Sequence, residues 1–121
     1  MSVPVLLAVG VLGGAGAVAR LVLDAHVAGR LGRAFPYGTF AVNLLGSFGL
    51  GLVAGAAVDG VAYRLVATGF IAAFTTFSTW TFESHRLGED GRAGLGALNL
   101  AVSLGAGLVA VWIGRHLGGA L

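Results

Sequence analysis

The stretch Leu65-Val66-Ala67-Thr68-Gly69-Phe70-Ile71-Ala72-Ala73-Phe74-Thr75-Thr76-Phe77-Ser78-Thr79-Trp80-Thr81-Phe82 carries no charge over a length that can cross a bilayer. A helix rising about 1.5 Å per residue needs roughly 17–25 such residues to span the hydrocarbon. The second half of the run is unusual for a lipid-embedded helix, because hydroxyls and aromatic rings alternate from Thr75 to Phe82. Serine and threonine can satisfy backbone groups that a helix leaves free, so the run predicts a local break exposing carbonyls in a protein-lined cavity. The edge of an aromatic ring is electropositive and can face an anion. Hydroxyl donors and ring edges together suit a small, hard anion. The competing reading is an unbroken helix whose hydroxyls bond back to carbonyls one turn earlier.

Charge punctuates the rest of the chain into three more stretches of this kind. Residues 3–23 hold only Arg20, while residues 34–58 and 93–114 hold no charge. Four transmembrane helices follow, over approximately residues 3–23, 36–58, 63–82 and 93–114, forming one membrane domain over residues 1–121. The first lacks a basic segment before its apolar run and carries Arg20 where a leader would need a small-residue cleavage site, so it reads as a retained helix. The connections are Asp24 to Phe35, the very short Asp59 to Arg64, and Glu83 to Arg92, the most polar stretch and a predicted solvated turn. Pro36, followed by Tyr37-Gly38, suits a helix start.

Composition agrees: 57% of residues are hydrophobic and 10% charged, against about 25% charged in an average soluble domain. A soluble bundle would show a charged face at helical period, and a membrane barrel would alternate polar and apolar residues, and neither pattern is present. The basic residues are all arginine and lie apart, which is no nucleic-acid footprint. With no cysteine, thiol chemistry is excluded. Glu83, His85 and Glu89 share one short loop, better read as a solvated turn than as an acid–base or metal cluster, so no enzyme is expected.

No ionisable residue lies near the centre of a span, which argues against a proton-coupled cation exporter. The spans instead hold neutral hydrogen-bonding groups. Thr39, Asn43 and Ser47 fall four apart on one stripe of the second helix, with Gly46 beside them. Ser47 reads as interhelical glue, whereas Asn43, with two amide donors in mid-span, reads as a pathway residue. The pairs Gly10/Gly14, Gly51/Gly55 and Ser103/Gly107 have the spacing that lets helices approach closely in lipid. So small a chain encloses little alone, and at least a dimer is expected.

At this point the chain resembles the Fluc/CrcB fluoride channels. The resemblance rests on Gly13-Gly14-Ala15-Gly16-Ala17-Val18-Ala19-Arg20 in the first helix, Gly38-Thr39-Phe40-Ala41-Val42-Asn43-Leu44-Leu45-Gly46-Ser47-Phe48 in the second and Gly69 to Trp80 in the third. Asn99, Ser103 and Gly107 carry it more weakly in the fourth. It implies a passive fluoride channel of the cell membrane, built as an antiparallel dimer with two pathways and a broken third helix. Carried over to this chain, the fluoride pathway would comprise Asn43, Phe77, Thr79, Trp80, Asn99, Ser103 and, near one end, Glu83, with Phe77 the first member of a phenylalanine box. The carbonyls of Ala72 and Thr75 would hold a structural sodium ion (Na+) at the dimer centre. Arg20 would anchor the first helix at its end.

Three positions depart from the family pattern. Trp80 stands in place of the second box phenylalanine, keeping an aromatic edge and adding an indole N–H donor, which bears on pore width. Ala72-Ala73 replaces paired glycines, which bears on how readily the backbone breaks. Asn99 and Gly107 stand where some members carry tyrosine and serine. Arginines number five on the side of the odd loops (Arg20, Arg30, Arg33, Arg86, Arg92) and two on the other (Arg64, Arg115), or four to two with Arg20 taken as intramembrane. That bias fits dual topology with a modest preference, or pairing with an oppositely oriented paralogue. The alternatives are a small multidrug-type exporter, which would need a mid-membrane carboxylate, and a non-conducting assembly subunit, which would leave the polar run unexplained.

Overall fold

The computed structural model describes residues 1–121, all-helical and without strands. Helix α1 spans Val3–Leu31, with Ser2 accepting from the Val5 N–H at its start and Gly32, at φ 82°, ending it. A left-handed φ is costly for any residue with a β-carbon, so glycine is the natural stop. The helix runs well past Leu23, so Asp24 to Leu31, expected as part of the connection, is helical. A charge bounds the hydrocarbon but does not end a helix.

Helix α2 spans Tyr37–Gly55 behind Pro36. Helix α3 covers residues 60–74 in three continuous parts: a first turn Gly60–Tyr63, a wide π-helical segment Arg64–Ile71, and a last turn Ala72–Phe74. The chain then leaves helical geometry over residues 75–77, and α4 resumes over Ser78–Glu89. The third span is therefore interrupted where the hydroxyl run begins. Because α4 continues to Glu89, most of the predicted solvated turn is helix, and only residues 90–92 separate it from α5, Ala93–Gly119. The spans Val3–Leu31, Tyr37–Gly55, Gly60–Glu89 and Ala93–Gly119 are each long and apolar enough to cross a membrane.

The tightest seam joins α2 to α5. A β-carbon on Gly51 or Gly55 would collide with the Val111 or Arg115 carbonyl, and one on Gly114 or Gly118 with the Phe48 or Leu52 carbonyl. Two glycine pairs at four-residue spacing thus face each other, and the backbones touch. The pair Gly10/Gly14 has open space around it within the chain. Helix α1 packs on α3 through Gly16, whose missing side chain admits the Phe70 carbonyl and Phe74 N–H. Only 17 of 121 residues are buried, and large apolar side chains such as Leu7, Val11, Leu108 and Trp112 point outward, as suits helices that face lipid.

The candidate ion pathway

The interruption of the third span is built by side chains from both sides of it. Asn43, one turn above Thr39 on α2, donates from Nδ2 to the Thr76 carbonyl and accepts from the Thr76 N–H at Oδ1, each at 2.8 Å. An amide side chain has the donor and acceptor of a peptide group, so Asn43 substitutes for the helical partners that Thr76 lacks. Thr76 in turn uses its hydroxyl to accept the Thr79 N–H (3.3 Å) at the start of α4 and lies 3.1 Å from the Thr79 hydroxyl. This is an N-cap arrangement. Thr75, in extended conformation with ψ 161°, turns its hydroxyl back to the Ile71 carbonyl at 3.2 Å. Its methyl fills the space where Gly46 has no side chain.

The interruption frees several carbonyls from their ordinary helical donors, those of Ala72 and Thr75 among them. The N–H of Thr76 would serve the Ala72 carbonyl and that of Thr79 the Thr75 carbonyl, but Asn43 and the Thr76 hydroxyl take them. The Ala72 oxygen retains a long contact with the Thr75 hydroxyl at 3.5 Å. Oxygen atoms freed from helical bonding are the ligands a hard cation takes.

A groove of about 590 Å³ runs along the interruption, lined by Asn43, Ser47, Thr75, Phe77, Trp80 and Ser103 among others. Phe77 is 73% exposed and meets Trp80 edge to face, with ring centroids 5.5 Å apart at 76°. The structure therefore brings Asn43, Phe77, Trp80 and Ser103 to one surface. Thr79 is exposed but does not line the groove, and Asn99 is buried between α4 and α5. There its amide donates to the Ser84 hydroxyl at 2.8 Å and accepts from the Ser103 hydroxyl at 3.2 Å. The Trp80 indole N–H, expected as a donor for an anion, bonds the Asn99 carbonyl at 3.2 Å.

Glu83 lies at a second, smaller cavity of about 260 Å³, with Asp24, Arg33, Arg86, Asp90 and Arg92. Its carboxylate accepts a short hydrogen bond from the buried Thr39 hydroxyl, which ties α4 to the start of α2. Arg33 approaches Asp24 at 3.9 Å on the rim. His85 and Glu89 pair with each other one turn apart on the exposed face of α4. Arg20 is partly buried on α1 with its Nε lacking a hydrogen-bond partner.

Thr76 and Ser84 belong to the site although neither is among the residues expected to form the pathway. Thr76 had a signal, as the second hydroxyl of the Thr-Thr-Phe-Ser-Thr run. Ser84 stands four residues after Trp80, on the same helical face, and donates to the Trp80 carbonyl at 2.8 Å.

These features define a multi-pass membrane protein whose interrupted third span presents hydroxyl, amide and ring-edge groups to a lateral groove. The family model described as CrcB-like protein, Camphor Resistance (CrcB), matches residues 7–115. The chain belongs to the CrcB family. It is 44% identical over 117 residues to "Fluoride-specific ion channel FluC 2" of Mycobacterium tuberculosis (strain ATCC 25618 / H37Rv), covering 97% of this chain and 93% of that protein. To "Fluoride-specific ion channel FluC 1" of Symbiobacterium thermophilum it is 47% identical over 116 residues, covering 91% and 94%. To "Fluoride-specific ion channel FluC" of Acidobacterium capsulatum it is 46% identical over 113 residues, covering 88% and 90%.

Proposed function

We propose that the chain is a fluoride channel of the cell membrane that lets the ion leave the cell passively along the groove beside the interrupted third span. The observation that carries this reading is the convergence of Asn43, Phe77, Trp80 and Ser103 on one polar track in an otherwise apolar molecule. Removing an anion from water is costly, and a neutral lining of N–H groups and ring edges offsets part of that cost without binding the ion so tightly that it cannot leave. Asn43 engages one Nδ2 hydrogen with Thr76 and keeps the other free for the ion. Phe77 and Trp80 offer ring edges. Glu83, at the far cavity, sets the charge at one mouth.

The groove is open along its side, where Phe77 emerges, and a polar track open to lipid would be unfavourable. A second copy closes it. An antiparallel homodimer, or a pair with an oppositely oriented paralogue, gives two such pathways and brings both interruptions to the centre. The Ala72 and Thr75 carbonyls of both copies would then hold a sodium ion, whose charge favours anions nearby. The Ala72-Ala73 pair suits this arrangement, since the ligands are backbone oxygens and Ala72 keeps ordinary helical angles, with φ −61° and ψ −37°.

Fluoride efflux from proteoliposomes carrying Phe77→Ile tests the assignment. Isoleucine keeps an apolar side chain where the second copy closes the groove, so this variant is expected to form the same oligomer as the parent while losing most of the flux. Full flux from the variant removes Phe77 from the pathway.

A further inference from the structure

Trp80 is one of two tryptophans and stands half-buried where α4 meets α5. Its indole N–H donates to the Asn99 carbonyl on α5 at 3.2 Å. The Asn99 amide donates to the Ser84 hydroxyl at 2.8 Å, and Ser84 donates to the Trp80 carbonyl, also at 2.8 Å. The three residues close a ring of hydrogen bonds that begins and ends on Trp80. Asn99, only 1% exposed, has its Oδ1 occupied by the Ser103 hydroxyl, so the network is satisfied by protein alone. Hydrogen bonds in a dry interior hold geometry tightly, because breaking one leaves a polar group without a partner.

The same residue lines the groove, where its indole and the Phe77 ring meet in a T-shaped arrangement. An aromatic ring held only by packing can turn about its side-chain torsions to admit a larger ion. An indole tied at Nε1 cannot do so without breaking the bond to Asn99. Resting on the fluoride-pathway reading, we propose that Trp80 is a positioning residue: its N–H, tied to the Asn99 carbonyl, fixes the aromatic wall of the groove and so excludes anions larger than fluoride. The Trp80 indole N–H and the Ser103 hydroxyl are both engaged by Asn99, whereas the Asn43 amide, also in the groove lining, keeps one N–H beyond its bond to Thr76.

The test uses the full-length protein with Trp112→Phe, which makes Trp80 the sole tryptophan; Trp112 is exposed, lies against His116 at an interplanar angle of 45° and does not line the groove. Trp80 is then replaced by 3-benzothienylalanine, which keeps the shape of the bicyclic ring and puts sulfur in place of N–H. Chloride and fluoride efflux are read from the same proteoliposomes. Ultraviolet resonance Raman reports whether the Trp80 indole is hydrogen-bonded. The parent is expected to show a bonded indole, and loss of one buried hydrogen bond should raise the chloride-to-fluoride efflux ratio about fivefold, with oligomeric state retained. An unchanged ratio, or a Raman signature of a free indole in the parent, overturns the proposal. If the parent shows a bonded indole but passes no fluoride, the pathway reading fails and the excluding role falls with it, while the hydrogen bond stands.

Discussion

Asn43 occupies one stripe with Thr39 and Ser47, yet the three do different work. Thr39 reaches Glu83, Ser47 faces Gly107, and Asn43 holds the interrupted backbone at Thr76. Asn43→Ala removes two hydrogen bonds to partly buried peptide groups and should lower stability by about 1–3 kcal/mol, seen as a lower melting temperature in detergent. Fluoride flux should fall about tenfold or more, since even about 1.4 kcal/mol at the barrier is a factor of ten. Asn43→Asp keeps the acceptor for the Thr76 N–H but sets a carboxylate against the Thr76 carbonyl and across the anion's route, and it should abolish efflux. Wild-type efflux from either variant would show that the interruption, and the ion, do not depend on Asn43.

Charge-free length was enough to find the four spans, because crossing hydrocarbon imposes it on any helix. It did not show how far α1 and α4 continue into water, since Asp24, His26, Ser84 and His85 are compatible with helix once lipid no longer excludes them. The interruption was legible in the hydroxyl run from Thr75, whereas the π-helical widening over Arg64–Ile71, a segment packed against α1, had no marker in the sequence. Asn43 was recognisable as a polar group in mid-span, but its two-point grip on Thr76 depends on the approach of α2 to the interruption. The burial of Asn99 and the engagement of the Trp80 N–H depend similarly on the α4–α5 contact. Among the glycine pairs, spacing alone could not distinguish Gly51/Gly55, which meets a backbone, from Gly10/Gly14, which meets nothing within the chain. Gly51→Ala should therefore destabilise the fold by about 1–3 kcal/mol through overpacking. Gly105→Ala, with open space around it, should be neutral or slightly stabilising by helix propensity. Equal melting temperatures for the two variants would contradict the α2–α5 seam.

In the proposed dimer a second copy covers the open side of the groove and part of the exposed apolar surface, and the modest arginine bias permits insertion both ways. The chain has no cysteine, so Val58→Cys in the turn between α2 and α3 introduces a single reporter. Comparable labelling by an impermeant reagent from both faces of the membrane is expected of an antiparallel homodimer, whereas labelling from one face requires a paralogue as partner. Exchange of sodium for a bulky organic cation should lower both the melting temperature and the fluoride flux. Indifference to sodium would argue against a cation at the Ala72 and Thr75 carbonyls. Whether this polar track conducts fluoride and little else is read from efflux of fluoride and chloride from liposomes reconstituted with the purified protein under equal gradients. Rapid fluoride efflux with negligible chloride is the predicted result; equal efflux of both ions, or none from a folded dimer, would contradict it.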